Sequence, residues 1–249
     1  MSWVLITGAG KRLGRAVAVG LARAGWSVVV HYNSSRAEAE SAVAEIKTLG
    51  ANAATFQAEL SDQAALKPLI ENAQRAAAGY LVALINTAAA FEYDNIGTLT
   101  EERLRKHMDV NALAPALLAR EFAAALAEGA RGAVVNFHDF KLASPYADHF
   151  SYTLSKYAVA GVTELLARAL APHVRVNAIA PGYMLPGPGQ SQSSYDRQHA
   201  DTPLHYGPTA QDIAHAARFL LENLAVTGQT IYVDAGRRFR SYDRDMSFT

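Results

Sequence analysis

Tyr152 and Lys156, in the run Tyr152-Thr153-Leu154-Ser155-Lys156, put a phenol and an ammonium four residues apart in a stretch with helical spacing, so both side chains leave one face of the helix. A positive charge beside a phenol stabilises the phenolate and lowers the tyrosine pKa towards working pH, where the pair can deliver a proton as hydride arrives. A possible hydride source is signalled near the start of the chain. Thr7-Gly8-Ala9-Gly10-Lys11-Arg12-Leu13-Gly14 follows an apolar run and opens a segment with helical spacing. Glycines there permit a tight turn and close approach of backbone to a pyrophosphate, which rests at the positive end of the helix. Glycine-rich turns also make ordinary strand-to-helix connections. Position after the first apolar run of an alternating chain favours the cofactor reading.

The elements that must position these groups alternate. Apolar runs at Val4 to Thr7, Ser27 to His31, Tyr80 to Asn86, Gly132 to Asn136, Val174 to Ala178 and Thr230 to Val233 read as buried strands. Between them, Arg15 to Ala24, Ala37 to Leu49, Ala64 to Ala78, Glu101 to Leu126, Ser151 to Leu170 and Ala210 to Leu221 read as helices. The pattern predicts an α/β fold: one Rossmann-type, doubly wound parallel sheet of about seven strands with helices on both faces, spanning residues 1–249. Pro181 to Pro208, rich in Gly, Pro, Ser and Gln, reads as a long irregular region. Its part 183–208 is expected to form a substrate lid, with a disordered surface loop as the alternative. Residues 237–249 form a C-terminal tail that opens with the basic run Arg237-Arg238-Phe239-Arg240.

Composition narrows the function classes. With 249 residues, half of them hydrophobic, the chain can bury a single sizeable core. Lys plus Arg and Asp plus Glu balance at 23 each, so no global field argues for nucleic acid or an anionic membrane, and recognition must be local. Cysteine is absent, which removes disulfides and thiolate chemistry and fits a reducing compartment. The apolar runs are too short to span a bilayer, and the start does not read as a signal peptide, so a cytoplasmic location is expected. His107, His138, His149 and His173 lack metal-site spacing, and surface or helix-end positions are expected for them; His138 has no assigned role.

Together the glycine turn and the Tyr-Lys pair resemble the short-chain dehydrogenase/reductase family, and the likeness runs from Val4 to about Gly236. Arg12 stands where that family has the middle glycine of its loop, a departure typical of the pteridine-reductase branch, in which the arginine lies near the cofactor phosphates and the substrate. The end of the second strand, His31-Tyr32-Asn33-Ser34-Ser35-Arg36, carries no acid to hold ribose hydroxyls and offers several donors. With Lys11 before the middle-glycine position, this favours NADP(H) over NAD. The resemblance implies a cofactor site of Gly8, Gly10, Lys11, Arg12, Leu13, Gly14, His31, Asn33, Ser34, Ser35, Glu59, Leu60, Asn86, Ala88, Tyr152, Lys156, Pro181 and Gly182. Thr87 replaces the second asparagine of the family's Asn-Asn-Ala-Gly segment.

Asn111 matches the family's asparagine that holds a water in the proton relay. Since Asn is poor inside helices and Pro115 follows, a kinked segment is expected there. Asp139 lies thirteen residues before Tyr152, where carbonyl-reducing members carry a serine whose hydroxyl stabilises the substrate oxygen. An ionised carboxylate cannot donate to a developing alkoxide. A pterin C=N bond needs a proton on nitrogen instead, which a carboxyl group of raised pKa can relay. Pteridine reductases and bacterial dihydromonapterin reductases carry Asp here. Phe91, five residues beyond Asn86, matches their ring-stacking phenylalanine, whereas Ala89 stands where they have a hydroxyl. The resemblance thus implies Tyr152, Lys156, Asp139 and Asn111 as catalytic residues and Arg12, Phe91, Asp139, Tyr152 and Tyr183 at a pterin-like substrate. It also implies a homotetramer, and the histidine spacing points to no metal. A carbonyl reductase and a catalytically silent NADP-binding protein stay open as alternatives.

Overall fold

The computed structural model describes residues 2–184, 186, 190–241 and 243–245; the parts of the expected lid and tail at 185, 187–189, 242 and 246–249 lie outside the described residues. Seven parallel strands form one sheet. The first half contributes β1 (Trp3–Thr7), β2 (Ser27–Tyr32) and β3 (Ala53–Gln57), separated by α1 (Arg12–Arg23) and α2 (Arg36–Thr48). After α3 (Gln63–Ala76) come β4 (Leu81–Asn86), α4 (Glu101–Met108), α5 (Ala114–Ala124), β5 (Gly132–Phe137), α6 (Phe150–Ala169) and β6 (Val174–Pro181). The chain continues through α7 (Gln192–Ala200) and α8 (Ala210–Glu222) to β7 (Thr230–Val233). Spatial order is β3-β2-β1-β4-β5-β6-β7, so the winding reverses between β1 and β4, where a crevice opens at the strands' carboxyl ends.

Alternate residues of each central strand feed opposite faces, as a period of two requires. Val4, Ile6, Val28, Val30 and Ile85 pack towards α1, α2 and α8. Leu5, Val29, Leu84, Val134 and Val176 pack towards α3, α5 and α6. Polar side chains set helix starts: Asp62 accepts from the Ala64 N–H at 2.9 Å, and Thr209 and Asp212 form a reciprocal capping box on α8.

Three elements differ from the sequence reading. Strand β3 was absent from the six apolar runs because Ala-Ala-Thr-Phe-Gln is short and weakly apolar, and β2 supplies its pairing. The single helix expected over Glu101 to Leu126 is α4 and α5 joined by a π-helical turn, Asp109–Leu113. Pro115 has no N–H to offer the Asn111 carbonyl four residues back, so the ladder widens there, in line with the expected kink. The 183–208 stretch is not wholly irregular, since α7 folds within it, started by Ser191, whose hydroxyl accepts from the Ser194 N–H at 3.2 Å. Among the described residues no helix is long and apolar enough to cross a membrane.

Candidate active site

A cleft of about 1350 Å³ lies over the carboxyl ends of the strands and runs from the Gly8–Gly14 turn to the C-terminal tail. Its floor at the turn is tightly specified. Gly8 adopts φ +68, and a Cβ on Gly14 would come within 2.4 Å of the Gly8 carbonyl oxygen, so no larger residue fits beside that peptide. The Gly8 N–H donates to Nδ1 of His31 at 3.1 Å, and the other ring nitrogen of His31 meets the Ala58 carbonyl at 3.0 Å. An imidazole that accepts on one side and donates on the other is neutral. Burial accordingly pushes the His31 pKa down to about 4. With both nitrogens engaged, His31 fixes the turn and holds no donor in reserve for a ligand, which narrows the sequence expectation for it.

Arg12 adopts φ +50, the left-handed region that suits the glycine it replaces. Among the described residues its guanidinium makes no hydrogen bond or ion pair, and it stands on the cleft rim. Lys11 pairs with Glu38 of α2 at 2.8 Å. At the end of β2, Asn33 donates to Glu59 at 2.5 Å, and Ser61 donates to the same carboxylate through its N–H at 3.1 Å and its hydroxyl at 2.9 Å. Burial alone would raise the Glu59 carboxyl, but the bonds from Ser61 and Asn33 outweigh it and hold it below its ordinary value.

The proton-handling groups meet farther along. Helix α6 starts at His149, itself left-handed at φ +55, and the buried Asp94 caps the first turn by accepting from the Ser151 N–H at 3.0 Å and its hydroxyl at 2.5 Å. That anchored helix presents Tyr152, whose hydroxyl donates to Asp139 Oδ2 at 2.7 Å, while the Lys141 N–H donates to Oδ1 at 2.9 Å. Lys156 donates to the Phe137 carbonyl at 2.7 Å and lies 5.5 Å from the centre of the Tyr152 ring. Burial raises the Asp139 carboxyl, overcoming the bonds from Lys141 and Tyr152 and the charge of Lys156. Burial also drives Lys156 down to about 8. The sequence expectation that Lys156 lowers the tyrosine pKa is not met in this geometry. Burial first, and then the Asp139 charge and hydrogen bond, push Tyr152 well above its ordinary value. The phenol is held as a neutral donor against a carboxyl group whose own pKa is raised by burial.

Around this pair the cleft is aromatic. Phe91 is half exposed, stacks on His149 at 4.3 Å and 18° and meets Tyr152 edge-on at 4.7 Å. Tyr93 packs edge-on against the far side of the group, 5.4 Å from His149. The loop carrying Phe91 is pinned by Asn111, whose side chain accepts from the Ala90 N–H at 2.7 Å and donates to the Ala90 carbonyl and the Ser155 hydroxyl at 2.9 Å each. The amide is thereby occupied in holding the loop. Tyr183, at the entrance of the lid stretch, donates to Gln190 and lies 5.5 Å from the Arg237 guanidinium.

Of the sequence-predicted site residues, all line the cleft except Gly10, Asn86 and Asn111. Gly10 packs against Ala39 of α2, where a Cβ would meet the backbone at 3.2 Å. Asn86 is buried one layer down and donates to Asn136 at 2.9 Å. His107, in the last turn of α4, and His149, at the N-cap of α6, hold the expected helix-end positions but are buried there, whereas His138 is buried just past β5, away from both the surface and any helix end. His107 accepts from the Glu92 N–H at 3.2 Å, bracing the Phe91 loop, and His138, at the cleft wall, meets the Thr163 hydroxyl at 2.9 Å. Sequence reasoning missed His149, Lys141, Tyr146 and Asp245, all of which line the cleft. No spacing signal links them, since Asp245 comes close only through the fold. Among the described residues no cluster could hold a metal ion.

A family profile described as enoyl-(acyl carrier protein) reductase matches residues 8–238. An uncharacterised oxidoreductase of Methylorubrum extorquens is 32% identical over 242 residues, covering 94% of this chain and 96% of its own. A 3-oxoacyl-[acyl-carrier-protein] reductase of Staphylococcus aureus is 29% identical, covering 93% and 96%. Among solved structures, the FolM alternative dihydrofolate reductase 1 of Brucella canis, complexed with NADP, superposes with a TM-score of 0.91 at 36% identity over 96% of this chain and 94% of its own. A putative short-chain alcohol dehydrogenase of Sinorhizobium meliloti superposes with a TM-score of 0.87 at 26% identity, covering 95% and 96%.

Proposed function

The chain belongs to the short-chain dehydrogenase/reductase family of oxidoreductases, and from that premise we propose that it reduces a pterin C=N bond with NADPH. The carrying observation is the 2.7 Å bond between Tyr152 and Asp139 on the wall of the cleft. A carbonyl reductase uses a hydroxyl donor at the Asp139 position to stabilise an alkoxide, and a carboxylate there works against it. A ring nitrogen has the opposite need: it takes up a proton, and a partly buried carboxyl of raised pKa beside a phenol can pass one on.

The residues present fit NADP(H). A Cβ on Gly8 or Gly14 would fill space beside Ala88 and the Gly8 carbonyl, which keeps a backbone-lined cradle open at the start of α1. Arg12 supplies a guanidinium for phosphate, and Ser34 and Ser35 line the end of β2 without an acidic neighbour in that turn. When bound, the reduced cofactor supplies the hydride. Tyr152 donates the proton to the substrate nitrogen. Asp139, hydrogen-bonded to that hydroxyl, returns a proton to the phenol, and Lys156 steadies the negative charge left on the pair. Phe91 offers a ring for a planar heterocycle to stack on. The Brucella canis dihydrofolate reductase, similar over nearly the whole chain, is in keeping with such a substrate. On the outer face of α6, exposed Leu154, Tyr157 and Leu165 support assembly into a homotetramer, and the cysteine-free composition supports a cytoplasmic setting.

Purified protein mixed with NADPH and dihydrobiopterin, dihydromonapterin or dihydrofolate should oxidise NADPH. The second reading, a carbonyl reductase, draws on the oxoacyl reductase relatives. Turnover of ketones or oxoacyl thioesters with none of any pterin would replace the first reading by the second.

A further inference from the structure

Each arginine of the tail is held by its own chain. Arg237 donates to the Gln198 carbonyl at 2.6 Å, Arg238 pairs with Asp234 at 2.8 Å, Arg240 pairs with Asp201, and Arg244 lies 3.4 Å from Asp148. Among the described residues of the tail, the group that lines the cleft is acidic: Asp245. Its N–H donates to Asp148 at 2.9 Å, Tyr146 donates to its Oδ2 at 2.7 Å, and Nε2 of His149 stands 4.0 Å from that oxygen. Only 16% of the side chain is exposed.

Two chains of contact run from Asp245 to Asp139. One passes through His149, Phe91 and Tyr152. The other passes through Tyr146, whose ring lies 3.7 Å from the Lys141 ammonium, and then through the Lys141 main chain. In order of contact, Phe91 is bracketed by two carboxyl groups, each bonded to a phenol. Asp139 is bonded to the Tyr152 phenol and feels the charge of the buried Lys156 ammonium at the proton-delivering end, and Asp245 is presented by the tail at the other.

We propose that Asp245 is a specificity-determining residue that accepts hydrogen bonds from the donor edge of the substrate ring, the 2-amino and ring N–H groups of an aminopyrimidinone. The assignment rests on the pterin reading of the same cleft. A flat ring on Phe91 with its reducible end at Tyr152 and Asp139 turns its other end away from them, and a planar amidine-like pair of N–H groups matches a carboxylate in geometry and polarity. Sites built to bond a substrate N–H reject analogues that lack it, because their own acceptor is left unpaired.

The test is a cycle of two enzymes and two substrates: wild type and Asp245→Ala, each with a dihydropterin and with its analogue carrying a methyl group in place of the 2-amino group. Wild type is expected to show a KM at least tenfold higher for the analogue. Asp245→Ala should raise the KM for the dihydropterin by tenfold or more, with kcat falling less than threefold, and should shift the analogue less than twofold. Asp245→Asn, which keeps the shape and loses the charge, should fall between. A tenfold discrimination that survives in Asp245→Ala overturns the inference and leaves the pterin reading standing. Wild type that turns over ketones and no pterin overturns both.

Discussion

The two ends of the cleft are built in different ways. At the cofactor end, the cradle is a continuous piece of chain, Thr7 to Gly14, shaped by backbone: φ +68 at Gly8, the bar to a Cβ at Gly14 and the His31 bonds to main-chain groups. At the substrate end, the wall is made of side chains from the Phe91 loop, the start of α6 and the tail, and buried polar contacts join them. A backbone cradle fixes where the cofactor's phosphates go and tolerates no bulk. A wall of side chains can change its substrate by exchanging one residue. Chemistry is done where the two meet, at Tyr152 and Asp139.

The sharpest way to break the comparison is to remove the group at the meeting point. Tyr152→Phe should lower kcat/KM for a dihydropterin by about 10³, within the usual range for a general acid; a loss below tenfold, measured by NADPH oxidation, would make Asp139 the sole acid. The pH profile bears on the same pair. Because burial raises the Asp139 carboxyl, its proton-bearing form prevails below that raised pKa, and kcat/KM should fall as pH rises through it. Asp139→Asn should abolish that limb of the profile.

Bulk at the cradle should matter next. Gly14→Ala pushes a methyl against the Gly8 carbonyl, and NADPH affinity, read by fluorescence titration, should weaken by roughly 10- to 100-fold, in keeping with an overpacking cost of about 1–3 kcal/mol. An equal loss from Phe91→Leu, on the side-chain-built wall, would erase the contrast between the ends.

Stability should report the buried imidazoles. The folded pKa values of His31 and His138 are lowered to about 4, so the folded chain refuses protons that the unfolded chain takes up below about 6.5. Their stability contribution is whole above that value and is lost as pH falls towards 4, by on the order of 3 kcal/mol each. Urea melts at pH 7 and pH 5 should show the loss, and His31→Asn should flatten it.

The smallest effect is expected at Arg12. Replacement by Gly relieves the left-handed backbone and should raise stability by about 1 kcal/mol, while NADPH affinity drops several-fold through loss of the guanidinium. A destabilised Arg12→Gly would mean that the backbone there carries no strain.

The same contrast decides what could be read from the amino-acid sequence. The glycine turn is contiguous and Tyr152 and Lys156 are one helical turn apart, so local spacing revealed them, and alternation of apolar runs revealed the parallel sheet. Strand β3 escaped because its neighbour β2, not its own hydrophobicity, makes it a strand. His149 gave no sign of burial, since a left-handed residue at a helix start looks like any other polar residue in a loop. Asp245 lies a hundred residues beyond Tyr146 in round terms, and only the tail's bonds to Asp148 reveal its place. The expected effect of Lys156 on Tyr152 failed for a related reason. The i to i+4 spacing was visible, but the depth of burial and the 2.7 Å approach of Asp139 were not.

The crevice between β1 and β4 also bears on how the molecule is made. Pairing of Trp3 with Leu81 joins residues far apart in the chain, across two intervening strands and three helices. Contacts of such separation slow folding, because the closure entropy of a long loop precedes their reward. The seam that brings Thr7 beside Asn86 is therefore a late event, and until it zips up, the glycine turn and the tyrosine helix belong to two unconnected halves. Only with that seam in place do the two ends of the cleft face each other, so the completed site depends on both halves of the sheet.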